Sequence, residues 1–274
     1  MVSLPENFEE QSRVSLVSVP DGVDTDARTD ITTIFGAMRR AIPGYVEDLI
    51  LKINQSNENE KITCAIIDTS VGWVFEVVNK LGIEAVAIWP AGTACLALAF
   101  HVPQLLEAQI INIDGVVTKD EPISLSEDVP GWTNSEIGWK SIHPIIHKVA
   151  LAEFYSIVPE FSKFYDRILC NTISELDSAA LKLIPKPKVL PIVDQFSNKN
   201  YICDVLKIGL ELTKDENGIT TRHEISAKIN TLLSSDVIKA NALRNIKEIA
   251  SKSCSEGGSS FNNFKSFIEH VKSL

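Results

Sequence analysis

Four short apolar runs recur between residues 61 and 193, and helical stretches separate them: "KITCAIIDTS", "IEAVAIW", "DRILCN" and "KVLPIV". Each run is near-continuously hydrophobic rather than alternating. That pattern marks strands buried on both faces, which occur in parallel sheets. Parallel neighbours need a crossover between them, and the intervening segments supply it. "VGWVFEVVNKLG" reads as a helix over 71–82 closed by Gly82, and Ala91 to Leu106 reads as the next. The expected fold is therefore α/β: a Rossmann-like parallel sheet with helices on both faces, followed from residue 194 by a mainly helical segment.

Upstream, "RVSLVSVP" (Arg13 to Pro20) reads as a strand ended by the turn Pro20-Asp21-Gly22. A long helix is expected from Thr29 to Asn54, with Pro43-Gly44 kinking or splitting it. A polar, proline-bearing stretch from Asn112 to Lys140 reads as a long loop, and "PIIHKVALAEFY" as a helix after it. "SELDSAALKL" reads as a short helix with Ser174 as N-cap and Asp177 at the capping-box position. Beyond 194, "LKIGLEL" is a candidate short strand and Asn217-Gly218 a turn. Thr221-x-x-Glu224 is a capping box opening a helix, and further helices are expected at about 235–253 and 259–271.

Composition narrows the function classes. The chain of 274 residues is 45% hydrophobic and 23% charged, ordinary for a globular protein. Its net charge of −10, with scattered basic residues, excludes a nucleic-acid partner. No formal charge falls between Ala85 and Leu106, but Pro90, Gly92 and Pro103 interrupt that stretch. A buried strand, turn and helix explains it better than a bilayer span, which needs about 20 apolar residues. Five cysteines with no C-x-x-C pair read as reduced thiols in a cytoplasmic protein.

Asp68 is the leading candidate for chemistry. It ends a parallel strand just before a helix, at the sheet edge where open α/β folds bind ligands. A carboxylate there can orient a histidine base or accept hydrogen bonds from substrate hydroxyls. It can equally cap the following helix, and position alone leaves both readings open. His143 and His147 are spaced i, i+4, but Pro144 stands between them and no Glu follows the first, so no metal site is expected. His101, His223 and His270 show no partner pattern. Phe154, Tyr155, Phe161, Phe164 and Tyr165 read as core. No G-x-G-x-x-G, P-loop or G-x-S-x-G motif occurs.

The stretch "ITCAIIDTSVGWVFEVVNKLGIEAVAIWPAGTACLAL" resembles the plant UDP-dependent glycosyltransferases of small molecules. So do "YDRILCNTISELDSAALKLIPKPKVLPI", "DQFSNKNYICDVLKIGLEL" and "EGGSSFNNFKSFIEHVKS", in the family's order along the chain. The resemblance implies a GT-B fold, in which two Rossmann-like domains face each other across a cleft. One binds the acceptor and the other the UDP-sugar. It implies no metal cofactor, with the UDP-sugar as co-substrate and a small hydroxylated plant metabolite as acceptor. In the family an aspartate polarises a histidine base, and the acceptor oxygen displaces UDP with inversion at the sugar carbon. The aspartate role maps to Asp68. Two contacts to sugar hydroxyls map to Asp194 and Gln195.

The chain departs from this pattern in two places. The family's Gly-His-x-x-Pro segment is not found, and none of the five histidines has that context. Between Val193 and Asp194 the family carries most of its second sheet, including Trp-Ala-Pro-Gln and His-Cys-Gly-Trp-Asn-Ser runs that are absent here. Residues 1–193 are therefore expected to form a partial acceptor domain, and 194–274 the helical remnant of a UDP-sugar domain. Those helices are expected to dock on the first domain or to be loosely held. Little or no transfer activity is expected. A non-catalytic binding module, associating with a full-length relative or an acceptor-like molecule, and an unrelated α/β enzyme using Asp68 both remain open.

Overall fold

A computed structural model describes residues 15–24, 28–56, 61–140, 144–192, 220–235 and 247–274, with Leu210 and Thr213. Asp194, Gln195, His143, the Asn217-Gly218 turn and nearly all of "LKIGLEL" lie outside them. The chain divides into two compact units, Met1–Ile62 and Thr63–Leu274.

In the first unit the expected strand does not form. Residues 15–20 are not paired with any described strand, and Leu16 and Val17 are exposed. Gly22 follows with φ +70, and a Cβ there would collide with Cβ of Ala41. Helix α1 (Ile31–Ser56) runs unbroken through Pro43. The proline forfeits one backbone hydrogen bond, but long helical runs on both sides maintain the helix, so the expected split is absent. The Asp30 carboxylate accepts from the amides of Thr32 and Thr33 at 3.2 and 3.1 Å, capping α1.

The second unit is built on a parallel sheet of β1 (Cys64–Asp68), β2 (Glu84–Trp89), β3 (Arg167–Asn171) and β4 (Lys188–Ile192), in that spatial order. Helix α2 (Trp73–Lys80) links β1 to β2. Gly82, at φ +70, closes it, with its amide bonded to Asn79 O at 3.0 Å. Helix α3 (Thr93–Glu107) follows β2. Leu96, Ala97, Leu98 and Ala99 on it are fully buried, so the charge-free stretch is core. The loop 112–140 folds on itself through antiparallel bridges Ile111↔Val117 and Ile123↔Trp132, and buries Val129, Ile137 and Trp139.

The helix expected next is segmented. Helix α4 (Pro144–Ala150) passes into a π-helical turn (Leu151–Ser156), then α5 (Ile157–Phe161). Between β3 and β4, helix α6 (Ser178–Lys182) starts later than expected. Ser174 falls in a turn and Asp177 takes the N-cap position. The Asp177 carboxylate is drawn instead to the Thr172 hydroxyl, which donates to it. That bond removes it from the capping-box role.

Strand register explains how the two sheet faces divide. Ile66 pairs with Val86, Ile88 with Leu169, and Leu169 with Leu190. These residues share one face, while Ile67, Ala87, Trp89, Ile168 and Cys170 share the other. The first face is covered from the far end of the chain. After α7 (Arg222–Ser234) and α8 (Lys247–Cys254), helix α9 (Ser259–Lys272) lays Phe267 against Val86, Leu169 and Leu190. Cover stops short of β1: Ile66 is 54% exposed although its lateral neighbour Val86 is fully buried.

Candidate functional site

The C-terminal ends of the strands bring the leading candidate to one edge. Asp68 ends β1 and is the N-cap of the 3-10 turn Thr69–Val71, its Oδ1 accepting from the Ser70 amide at 2.8 Å. Capping is therefore realised, and one carboxylate oxygen serves the turn. Two steps further, the buried Trp73 indole N–H has no acceptor among the described residues. A buried donor in that state is unusual and marks a place where an oxygen would be stabilised.

The next strand ends are tied to one another. Trp89 Nε1 donates to Gly92 O at 3.2 Å and Asn171 Nδ2 to Pro90 O at 3.1 Å. These bonds pin the turn between β2 and α3 onto β3. Cys170 Sγ lies 3.6 Å from Thr93 Oγ1 and 3.8 Å from Ala91 O. Burial pushes the Cys170 thiol up to about 12, so it packs as a small apolar group and not as a nucleophile. Alkylation by iodoacetamide at pH 8 is expected to label exposed Cys254 at least about ten-fold faster than Cys170 in the native protein. Mass spectrometry of the quenched digest reads this ratio, and equal rates contradict the assignment.

Behind this edge the π-helical turn inserts Tyr155 between two tryptophans. Its ring sits edge-on to Trp139 at 4.9 Å and to Trp89 at 6.1 Å. Trp139 Nε1 donates to Gly115 O at 2.9 Å, fixing the long loop. Gly138 allows the close approach, since a Cβ there would collide with the Tyr155 hydroxyl. Burial raises the Tyr155 phenol well above its ordinary value. Tyr155, Phe161 and Tyr165 are core as expected, whereas Phe154 lies at the surface.

His270 acquires partners that the sequence did not show. Its Nε2 lies 2.5 Å from Glu84 Oε1, and Arg167 Nη1 lies 3.0 Å from the same oxygen. Arg167 Nη2 approaches His270 Nδ1 at 3.4 Å. Glu84 begins β2 and Arg167 begins β3, so this cluster sits at the opposite edge from Asp68 and ties α9 to the sheet. A separation of 186 residues between His270 and Glu84 hides the pair from any local motif. His101 Nδ1 bonds to Ala97 O, at 2.7 Å, within its own helix. His147 lies on α4 and His223 on α7.

No cluster of three metal-binding side chains occurs among the described residues. Among them, no helix is long and apolar enough to cross a membrane. Asp194 and Gln195 carry no geometry, being outside the described residues.

No protein-family model matches the chain. Among curated proteins it is similar to UDP-glycosyltransferase 83A1 of Arabidopsis thaliana, 23% identical over 412 residues, covering 99% of this chain and 87% of that one. That alignment is far longer than the chain's 274 residues, so stretches of the relative lie opposite gaps. UDP glycosyltransferase 9 of Catharanthus roseus is 42% identical over 78 residues, 27% of this chain and 16% of that one. Among solved structures, a UDP-glucosyltransferase from Polygonum tinctorium capable of glucosylating indoxyl superposes with a TM-score of 0.74 at 14% identity. It covers 95% of this chain and 86% of that one. Phytolacca americana UGT2, complexed with UDP-2fluoro-glucose and pterostilbene, gives a TM-score of 0.68 at 13% identity, with 93% and 83% covered. At these identities the superpositions carry the fold.

Proposed function

We propose that the chain is a member of the plant UDP-dependent glycosyltransferase family and, within it, an acceptor-side remnant. It binds a hydroxylated small molecule at the C-terminal edge of its sheet and, as it stands, transfers little or no sugar. The observation that carries this reading is Asp68. By the resemblance its position corresponds to the family's histidine-orienting aspartate, and here the carboxylate accepts from the Ser70 amide.

Transfer in this family moves the acceptor's hydroxyl proton to a histidine, forms a bond from that oxygen to the sugar carbon, and releases UDP from the opposite side. General-base assistance of that kind is worth about 10²–10⁴-fold in rate. The donor side needs amide donors at a helix N-terminus to hold two phosphates. The family supplies them from its His-Cys-Gly-Trp-Asn-Ser run, which this sequence does not contain. On the acceptor side, the Asp68 carboxylate offers an acceptor to a substrate hydroxyl. The class of acceptor, a phenolic or terpenoid alcohol, rests on the resemblance.

Titration calorimetry separates the two halves of this reading. A panel of plant phenolics is expected to contain saturable binders whose affinity falls about ten-fold in Asp68→Ala. UDP is expected to bind more weakly than about 1 mM, because the family's phosphate-binding run is not in the sequence. Micromolar UDP binding would overturn the proposal on the donor side, and the absence of any phenolic binder would overturn it on the acceptor side.

A further inference from the structure

A cavity of about 810 Å³ opens beside the edge strand β4. Strand order places it three strands away from Asp68, about 14 Å at the usual inter-strand spacing. Its walls come from the turn after α5, the connection from α6 into β4, and one residue of α9. The volume falls in the range of small-molecule sites, about 300–1,000 Å³.

The lining has two distinct parts. Leu181, Ile184, Pro185, Pro187 and Pro191 make an apolar surface, and Tyr165 also lines the cavity. Pro191 matters doubly. On the outer side of an edge strand it presents no backbone N–H, and its carbonyl already accepts from Asn263 Nδ2 at 3.2 Å. This stretch of edge is therefore closed to strand pairing and leaves a smooth wall. Tyr165 is held in place by Phe75, ring centroids 4.6 Å apart.

The other part is charged. Lys163, Lys186 and Lys188 line the cavity, and Asp166 is the one carboxylate among its lining residues. In a chain of net charge −10 this is a local reversal of sign. Lys163 Nζ lies 4.9 Å over the Phe164 ring, which restrains its ammonium. Lys186 and Lys188 flank Pro187, whose ring fixes the backbone between them. An anion entering among these ammonium groups is screened less than on an open surface, because protein walls replace part of its water.

We propose that this cavity binds a small aromatic anion, an aryl carboxylate, sulfate or phosphate, with its ring on the proline and Ile184 surface and its charged group among Lys163, Lys186 and Lys188. The site takes its ligand independently of any acceptor bound near Asp68. Neither part of the lining suffices alone. Exposed lysines hold a simple anion weakly, and an open apolar wall holds a neutral ring weakly; together they select a ligand carrying both features.

The probe is 1-naphthyl phosphate, titrated into the full chain at low salt and followed by its own fluorescence. Naphthalene-1-sulfonate and 1-naphthoate, 1-naphthol and inorganic phosphate are run in parallel. The three aryl anions are expected to bind saturably at one site per chain, and 1-naphthol and phosphate at least about ten-fold more weakly. Lys186→Glu combined with Lys188→Glu is expected to weaken the aryl anions by about ten-fold, and Lys272→Glu, outside the cavity, to leave them unchanged. Circular dichroism melts verify folding. If the double variant does not fold, Lys163→Gln carries the test, with a loss of about three-fold expected. Unchanged affinity in the folded lysine variants, equal binding of 1-naphthol, or no saturable binding to the wild-type chain overturns the proposal.

Discussion

Replacing Phe267 with alanine is expected to destabilise the second unit by about 3–5 kcal/mol, the usual cost of truncating a buried phenylalanine. Phe267 is the fully enclosed side chain through which α9 reaches the sheet, touching Val86, Leu169 and Leu190 on three successive strands. No other described helix residue joins that buried cluster, although Ile268 and Val271 pack at its margin. The truncation leaves a void under α9 that the strands cannot collapse to fill. The Glu84–Arg167–His270 cluster would still tie the helix end to the sheet, but a half-exposed ion pair contributes only about 1 kcal/mol or less. Urea unfolding followed by far-UV circular dichroism measures the loss. A change below about 1 kcal/mol would mean that α9 is not part of the core.

Alanine at Gly258 is expected to be nearly as damaging, for a different reason. Gly258 is the N-cap of α9, where the chain turns back from α8. A Cβ there would collide with the carbonyl oxygens of Lys252 and Ser253 and sit 2.6 Å from the Ser253 carbonyl carbon. Those are backbone atoms at the end of α8 and cannot rotate aside. The junction is also locked by Ser253 Oγ, 2.6 Å from Ser259 Oγ and 2.9 Å from Ser260 Oγ. Forcing α8 and α9 apart should cost about 1–3 kcal/mol and break this cluster. Gly44, inside α1, supplies a control of opposite sign. A Cβ there meets nothing within 4 Å, so Gly44→Ala should be neutral or stabilising by up to about 1 kcal/mol. Thermal melts of the two variants should move in opposite directions. A wild-type melt for Gly258→Ala would contradict the close crossing.

The legible part of the fold was the part whose signal is local. The four parallel strands are short apolar runs, as expected of strands in the interior of a parallel sheet, and Gly82 marks the end of α2 by the left-handed conformation it adopts. Thr221 caps α7 as its sequence suggests, its Oγ1 accepting from the Glu224 amide at 3.2 Å. Where partners decide, the sequence misled. Arg13 to Pro20 reads as a strand, but residues 15–20 are not in one. Asp177 was read as a capping-box residue, yet Thr172 competes for its carboxylate. That the C-terminal helices would dock on the first domain was expected, but the sheet face that α9 covers was not legible, because Phe267 is an ordinary apolar residue on an amphipathic helix until Val86 and Leu190 are brought beneath it.

The site divides the same way. Position identified Asp68, because strand ends are visible in the apolar pattern, but not how its carboxylate is engaged, which depends on the turn that follows. The orphaned Trp73 donor and the Glu84–Arg167–His270 cluster have no sequence signal, since each depends on atoms brought together by the fold.

The central claim, a glycosyltransferase relative that retains the acceptor side and lacks effective transfer, is tested most directly by turnover. Purified protein is incubated with UDP-glucose and other UDP-sugars against a panel of phenolic and terpenoid alcohols, and products are read by liquid chromatography with mass detection against a heat-killed control. Glycoside formation indistinguishable from that control is the predicted result. Multiple turnovers with any acceptor, abolished in Asp68→Ala, would contradict it.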